Sequence, residues 1–243
     1  LQAKEEMMFT AEQRTQLVRG AAEWDIILSD AVVDRFERFA IMLDAANAQF
    51  NLTRIAPNDI VTLHFLDSLA LCAVLTPEPE TRLIDVGTGA GFPGLPLAIV
   101  FPELQVTLLD STRKRLDFLD SVIAELGLSQ AQTLHGRAEE LGRDALRRES
   151  YDLVTARAVA RMPTLAGWLL PLARPGGLTV AYKSRDAGVE IEAARPQIGA
   201  MGGKIERVAD VLLPGAEIVR KLALIRKVRH TPLRPVRSRA GHQ

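Results

Sequence analysis

The sequence predicts an α/β fold: a mostly parallel seven-stranded sheet that finishes in an antiparallel hairpin, preceded by an N-terminal helical extension. Three observations carry this prediction. Beyond residue 80, apolar runs of strand length alternate with stretches of helical periodicity, and alternation of this kind builds a parallel sheet. The last two runs, 204–213 and 218–227, flank Pro214-Gly215-Ala216-Glu217, a turn too short for a crossover helix, so these strands pair antiparallel. Ahead of the alternation, residues 8–75 carry helical patterning, with Pro57 as their only proline and no glycine after Gly20.

In chain order, Ser29 or Asp30 caps a helix whose apolar positions Val33, Phe36, Phe39, Ala40 and Leu43 recur at helical spacing. It runs out over 47–53, and a second helix follows Pro57-Asn58-Asp59 through Val61, Leu63, Leu66, Leu69 and Leu71 to Leu75. Thr76-Pro77-Glu78-Pro79-Glu80 is a linker, because closely spaced prolines cannot continue a helix. It separates a small helical unit (1–76, with the linker at 77–81) from an α/β domain (82–230) and a basic tail (231–243). Strands are expected over 82–86, 105–109, 132–135, 152–155 and 176–182, the last entered through Pro175-Gly176-Gly177. Helices from Gly94, over 112–126 and over 162–172 lie between them.

At 243 residues, 47% apolar and 25% charged, the chain has ordinary globular composition and is long enough to bury a core. No apolar run approaches the roughly 18 residues of a membrane span, and the start, with Glu5 and Glu6, is unlike a secretory signal. A cytoplasmic location is expected. Cys72 is the only cysteine, which excludes an intramolecular disulfide and a cysteine zinc cluster. Its apolar neighbours mark it as a buried hydrophobe rather than a nucleophile. His64, His135, His230 and His242 show no ligand spacing, so no metal is expected. Basic and acidic residues balance at 30 each, yet 218–243 contains no acid and many arginines and lysines. Such a stripe either neutralises phosphates or is a solvated strand and tail.

The stretch Leu83-Ile84-Asp85-Val86-Gly87-Thr88-Gly89-Ala90-Gly91-Phe92-Pro93-Gly94 joins a buried strand, four glycines and a helix start, with Asp110 ending the next strand. A parallel α/β unit brings its backbone against a nucleotide-containing cofactor in this way. Two cofactors compete. Gly89-x-Gly91-x-x-Gly94 satisfies the dinucleotide fingerprint, with Asp110 placed for the ribose hydroxyls. Asp85-x-Gly87-x-Gly89-x-Gly91 satisfies the pattern of S-adenosylmethionine enzymes. Asp85 favours the second, since an acid there can receive an ammonium and would repel a pyrophosphate. The closing hairpin favours it too, because it belongs to a class I S-adenosylmethionine-dependent methyltransferase (Rossmann-like) rather than to a symmetrical dinucleotide fold. A tight strand-to-helix turn without a ligand is the plain alternative.

Asn51-Leu52-Thr53, His64-Phe65-Leu66-Asp67-Ser68-Leu69, the glycine stretch on to Leu97, Leu109-Asp110-Ser111 with Lys114-Arg115 and Phe118-Leu119, Arg137-Ala138-Glu139, and Thr155-Ala156-Arg157-Ala158-Val159-Ala160 together resemble one family. It is the guanine-N7 methyltransferases of small-subunit ribosomal RNA, the glucose-inhibited division protein B group. The resemblance implies a bacterial cytoplasmic enzyme that moves a methyl group from S-adenosyl-L-methionine to N7 of one guanine in 16S ribosomal RNA, as free RNA or within the 30S subunit. It implies cofactor contacts at Gly87, Phe92, Ala138, Glu139 and Arg157, to which the loop adds Asp85, Gly89 and Gly91 and the second strand Asp110. Phe92 is expected to wall the pocket near the sulfonium, Asp110 to accept the ribose hydroxyls, and the backbone at Ala138 to read the adenine edge. Arg157, at a strand's carboxyl end, would hold the cofactor carboxylate or the target base, or else form a structural ion pair.

Guanine N7 already has a lone pair, so direct in-line transfer needs no general base and rests on alignment, worth about 7–11 kcal/mol. The product base is cationic; acceptors and π faces near it help, and excess cations hurt. Asn51, His64 and Asp67 are therefore catalytic candidates beside Arg157. His64, Asp67, Ser68 and Leu71 share a helix face, either as the floor of a guanine pocket or around a buried His–Asp hydrogen bond. Phosphate contacts are expected at Lys114, Arg115, Arg137, Lys183, Arg237 and Arg239, foremost at Lys183, which ends the fifth strand on the crevice side. With 5% aromatic residues there is no stacking platform, so the target base is reached unpaired or flipped out. Many family members end in a basic Arg-x-Gly-x-Pro tail; here Arg237, Arg239 and Gly241 keep its beginning without the final Pro and Lys. The rival readings are an inactive RNA-binding or assembly module on the same fold and a nicotinamide-dependent reductase. Without heptads, a monomer is expected.

Overall fold

Residues 9–232 are described by a computed structural model, and they form a seven-stranded sheet in the order β3-β2-β1-β4-β5-β7-β6. The strands are β1 (Arg82–Val86), β2 (Gln105–Asp110), β3 (Ala131–His135), β4 (Tyr151–Arg157), β5 (Ala173–Ser184), β6 (Gly203–Leu212) and β7 (Val219–Lys227). The first five run parallel, and β7 runs antiparallel to both β5 and β6. The expected fold class is thus the observed one. Strand order reverses between β1 and β4, where an open α/β sheet keeps its ligand crevice.

Period-two alternation fills both faces of the sheet. Leu83, Leu153, Leu178, Val180, Leu222 and Leu224 enter one apolar core. Ile84, Val154, Ala181, Ala223 and Ile225 enter the other. The first core also holds Phe36, Phe39 and Leu43 of α2 (Asp30–Phe50), Phe65 and Leu69, and the inner faces of α4 (Gly94–Val100) and α5 (Arg113–Leu126). The break at 75–78 is therefore a break in regular structure only; the hydrophobic core runs across it.

Local signals explain most element ends. In α1 (Ala11–Ala22), the Thr10 hydroxyl accepts the Gln13 N–H while the Gln13 side chain accepts the Thr10 N–H, a complete capping box. Ser29 precedes α2 without a side-chain cap bond, and Asn51 closes it at φ 49, a left-handed position that Asn tolerates. The second N-terminal helix is not uniform. It is a π turn (Val61–Leu66), a single α turn α3 (Asp67–Leu69) and a 3₁₀ turn (Ala70–Ala73). His64 lies in the π turn and Asp67 directly after it, and both meet Arg157 of β4; π turns are frequent at functional sites.

Three further departures have physical causes. β5 starts before Pro175-Gly176-Gly177, which bulges out where the register jumps from Tyr151↔Ala173 to Leu153↔Leu178. The helix expected over 162–172 stops earlier, as α7 (Met162–Leu169), ahead of Pro171, which has no N–H to continue it. Beyond α6 (Ala138–Leu141), two short helices, α8 (Gly188–Ala193) and α9 (Arg195–Ala200), were not expected; Gly188, Pro196 and Gly199 interrupt their periodicity. Among the described residues no helix is long and apolar enough to cross a membrane.

Candidate active site

The carboxyl ends of β1, β2 and β4 open onto two clefts that share a wall. The first, of about 320 Å³, is lined by Gly87, Asp110, Arg115, Arg137, Ala138, Glu139 and Trp168. The second, of about 670 Å³, is lined by His64, Asp67, Arg157, Arg161, Lys183, Glu190 and Arg220. Ala158 and Val159 face both. Ala158 sits at φ 56, a left-handed conformation that costs a non-glycine residue strain, and it turns the chain sharply just after Arg157.

The first cleft is built on the loop after β1. Gly87, Gly89 and Gly91 have φ of 68, 60 and 99. Gly87, which lines the cleft, could not carry a side chain there without strain. Asp85 is fully buried and holds this loop from inside: it accepts the Thr88 hydroxyl at 2.7 Å, the Gly94 N–H at 3.0 Å and the Thr155 hydroxyl at 3.0 Å. Burial pushes its carboxyl up to about 6 against those three donors. Asp110 accepts the Gly89 N–H at 3.0 Å on one oxygen and the Thr112 N–H at 2.8 Å on the other, with Arg115 at 3.4 Å. One carboxylate thus ties the glycine loop to the start of α5.

The second cleft is organised by Asp67. Its side chain is 3% exposed, and it accepts from Arg157 at 2.9 Å and from Arg220 at 2.7 Å, joining the π-turn segment to β4 and β7. Arg157 also donates to the carbonyl of Leu63 at 3.3 Å, meets His64 Nδ1 at 3.1 Å and lies 5.0 Å from the centre of the Phe92 ring. The His64 ring stacks on Phe92 at 4.1 Å and 7°, and Phe39 backs Phe92 at 5.3 Å. Because arginine has no acceptor, Nδ1 must accept, so neutral His64 carries its proton on Nε2 and donates it to the Thr53 hydroxyl at 2.8 Å. Burial first and Arg157 second push His64 down to about 3. Burial also lowers the Arg157 guanidinium, against the pull of Asp67.

The predicted residues therefore fall into groups. Gly87, Asp110, Ala138, Glu139, Arg115 and Arg137 meet in the first cleft; His64, Asp67, Arg157 and Lys183 meet in the second. Asp85 and Phe92 lie buried beneath them. The His–Asp alternative is replaced by a His64–Arg157–Asp67 chain with the arginine in the middle. Lys183 is 11% exposed, and its ammonium is taken by Glu190 at 2.7 Å and the Ala160 carbonyl at 2.6 Å. Lys114 lies apart, beside Phe118 and α2 in a shallow groove, and Asn51 is an exposed helix end. Arg237 and Arg239 lie outside the described residues. Buried Cys72 is pushed up to about 12, which makes it no nucleophile. Local sequence does not single out Arg161 or Glu190 and offers Arg220 only as part of a basic stripe; the one signal for Arg161 is that it directly follows the Arg157-Ala158-Val159-Ala160 segment.

Known proteins give this geometry its context. The GidB family model, described as rRNA small subunit methyltransferase G, matches residues 33–218. A ribosomal RNA small subunit methyltransferase G from Thermoanaerobacter sp. (strain X514) is 42% identical over 217 residues, which cover 89% of this chain and 90% of that one. Its namesake from Roseiflexus castenholzii (strain DSM 13941 / HLO8) is 45% identical over 218 residues, 89% and 92% of the two chains. A SAM dependent methyltransferase from Aquifex aeolicus overlaps with a TM-score of 0.51 at 18% identity, over 68% of this chain and 92% of that one. TrmN from Thermus thermophilus does so at 0.52 and 22%, over 66% and 48%. These two structures share the fold. With the family model matched over most of its length and relatives above 40% identity along nearly all of it, the chain belongs to the rRNA small subunit methyltransferase G family.

Proposed function

We propose that the protein transfers a methyl group from S-adenosyl-L-methionine to N7 of a guanine in 16S ribosomal RNA, in the cytoplasm. The observation that carries this reading is the pair of clefts meeting at Ala158-Val159, one suited to the methyl donor and the other to the acceptor base.

The first cleft fits the donor by its chemistry. Asp110 stands at the end of β2, and among the described residues its Oδ1 accepts only the Thr112 N–H, which leaves acceptor capacity for hydroxyls. Glu139 and the backbone at Ala138 offer polar edges opposite, and Gly87 leaves the floor without a side chain. When bound there, S-adenosylmethionine supplies a methyl group already activated on a sulfonium.

The second cleft supplies position rather than proton transfer. N7 of guanine gives up no proton when it attacks, so the site needs no base, and among the described residues of the cleft none is poised: His64 Nδ1 is engaged by Arg157, Asp67 and Glu190 are held by cations, and the Tyr182 hydroxyl donates to the Ser68 carbonyl at 2.8 Å. Asp67 and the neutral His64 line the cleft where a cationic product base would be stabilised, while Arg157, held by Asp67, adds donors.

The test is transfer of labelled methyl from S-adenosylmethionine to 16S ribosomal RNA and to 30S particles, with the product identified by nuclease digestion and mass spectrometry. N7-methylguanine at one position is expected. Label on another base, or on another atom of guanine, would overturn the reading of the second cleft. Cofactor binding without any labelled RNA or particle would overturn the substrate.

A further inference from the structure

We infer that Arg161 anchors a phosphate of the RNA strand beside the target guanine. This rests on the reading of the protein as an RNA methyltransferase and assigns a contact within it.

Four cations line the second cleft, Arg157, Arg161, Lys183 and Arg220, against two carboxylates, Asp67 and Glu190. With His64 neutral, the cleft has an excess of positive charge and suits a polyanion. Three of the cations are already committed. Arg157 and Arg220 share Asp67, and Lys183 is paired with Glu190. Arg161 is exposed and, among the described residues, makes no hydrogen bond or ion pair; it acts on Glu190 only through space.

The backbone around Arg161 is nevertheless fixed on both sides. The Ala160 carbonyl accepts from Lys183, and the Met162 N–H donates to the same Glu190 oxygen that binds Lys183. Ala158, at φ 56, turns the chain into this short loop. One lysine and one glutamate thus clamp the loop whose central side chain is left without a partner at the mouth of the cleft. An unpaired guanidinium on a fixed stretch of backbone suits a phosphate: a bidentate donor for which only the side chain is still to be ordered. Lys183 then acts as a positioning residue for Arg161.

The experiment uses the full chain. Arg161→Ala and Arg161→Lys are compared with wild type for direct binding of 16S ribosomal RNA by fluorescence anisotropy over a salt series, and for methyl transfer. Arg19→Ala, which removes an exposed charge from α1 outside the cleft, is the control. Arg161→Ala is expected to weaken RNA binding and raise the RNA KM about tenfold. The slope of log affinity against log salt should fall by about 0.7–0.9, with cofactor affinity and kcat unchanged. Arg161→Lys should keep the salt slope and lose only part of the affinity, because it is a point charge rather than a fork. Unchanged affinity and slope in Arg161→Ala, or an equal loss in Arg19→Ala, overturns the assignment. A wild-type protein that binds RNA but methylates none defeats the enzymatic reading, while the salt slope still decides Arg161. Wild-type protein that binds no RNA defeats both.

Discussion

Asp67→Ala removes the carboxylate that holds Arg157 and Arg220 together, and its consequences follow from burial. Arg157 has a side chain 13% exposed; without Asp67 it keeps His64 and the Leu63 carbonyl as partners but, among the described residues, has no counter-charge within hydrogen-bonding distance. Arg220, at 27%, can turn toward water and loses less. Breaking a buried pair by deleting one partner costs about 3–5 kcal/mol. For a chain of this size that is a fall in Tm of roughly 6–20 °C. Replacing both partners with apolar side chains, Asp67→Leu with Arg157→Met, should recover at least about 2 kcal/mol relative to the sum of the single changes, because the more deeply buried Arg157 charge goes with its counter-charge and only Arg220, which can turn toward water, is left unpaired. Urea unfolding of the four proteins measures this coupling. Agreement with simple additivity within about 0.5 kcal/mol would refute the claim that the two side chains stabilise each other. Turnover gives an independent reading: misplacing Arg157 by about 1 Å should lower kcat roughly 100-fold, with cofactor affinity intact.

Asp110→Ala removes the acceptor at the end of β2 and loosens the loop at Gly89, so S-adenosylmethionine affinity measured by calorimetry should fall at least about tenfold, or about 1.4 kcal/mol, while RNA affinity stays the same. An equal loss of RNA affinity would mean that the two clefts are not separate sites. His64, pushed down to about 3 by burial and by Arg157, should show no ring titration by NMR from pH 8 to 5. A group so depressed leaves the native state with fewer protons than the unfolded chain, so its contribution to stability is full above pH 6.5 and declines as pH falls toward 3. Arg157→Leu should raise the His64 value, and a wild-type transition near 6.5 would contradict the hydrogen-bond assignment. Glu149 lies just before the amino end of β4, at the opposite end of the strands from the clefts. Burial raises its carboxyl, but bonds from His230, the Thr231 N–H and fully buried Lys227 win and hold it at about 2. Against an ordinary value of 4.5 this contributes about 3 kcal/mol at neutral pH, lost as pH falls from 4.5 toward 2. Glu149→Gln should therefore destabilise the protein strongly at pH 7 and far less at pH 3 in urea unfolding; the same deficit at both would rule out the charged pair as the cause.

Features that depend on neighbouring residues were legible in the chain, and those that depend on distant ones were not. The glycine loop, Asp110 and the hairpin at Pro214-Gly215 are local: turn chemistry and period-two alternation specify them within a few residues. Asp67 and Arg220 lie 153 positions apart, and nothing in either segment announces the other. Lys183 is held by a residue that local sequence does not connect to it. Its partner Glu190 sits on α8, a six-residue helix whose buried positions Ile191, Ala194 and Ile198 continue into α9 at helical spacing but are interrupted by Pro196 and bounded by Gly188. The sequence alone presents Lys183 as an available cation at a crevice; the helix spends its charge on the loop that presents Arg161.

Charge in the second cleft is distributed as the proposed reaction requires. Alkylation at N7 places a positive charge on the base, so an unpaired cation beside it would raise the barrier, yet a strand of RNA cannot be held without cations. Keeping the two demands apart resolves the conflict. Beside Phe92, the imidazole is neutral and Arg157 and Arg220 share the carboxylate of Asp67; at the rim, Arg161 makes no hydrogen bond or ion pair among the described residues. The two kinds of site should then separate in kinetics. Asp67→Asn, which keeps the size of the side chain but removes the counter-charge, should lower kcat and leave the RNA KM close to wild type or lower, since the cleft becomes more positive. Arg161→Ala should raise the RNA KM and leave kcat alone. Steady-state methylation of 30S particles by the two variants tests both at once, and a reversed pattern, with the RNA KM rising in Asp67→Asn and kcat falling in Arg161→Ala, would place the reacting base at the rim and the phosphate contact inside.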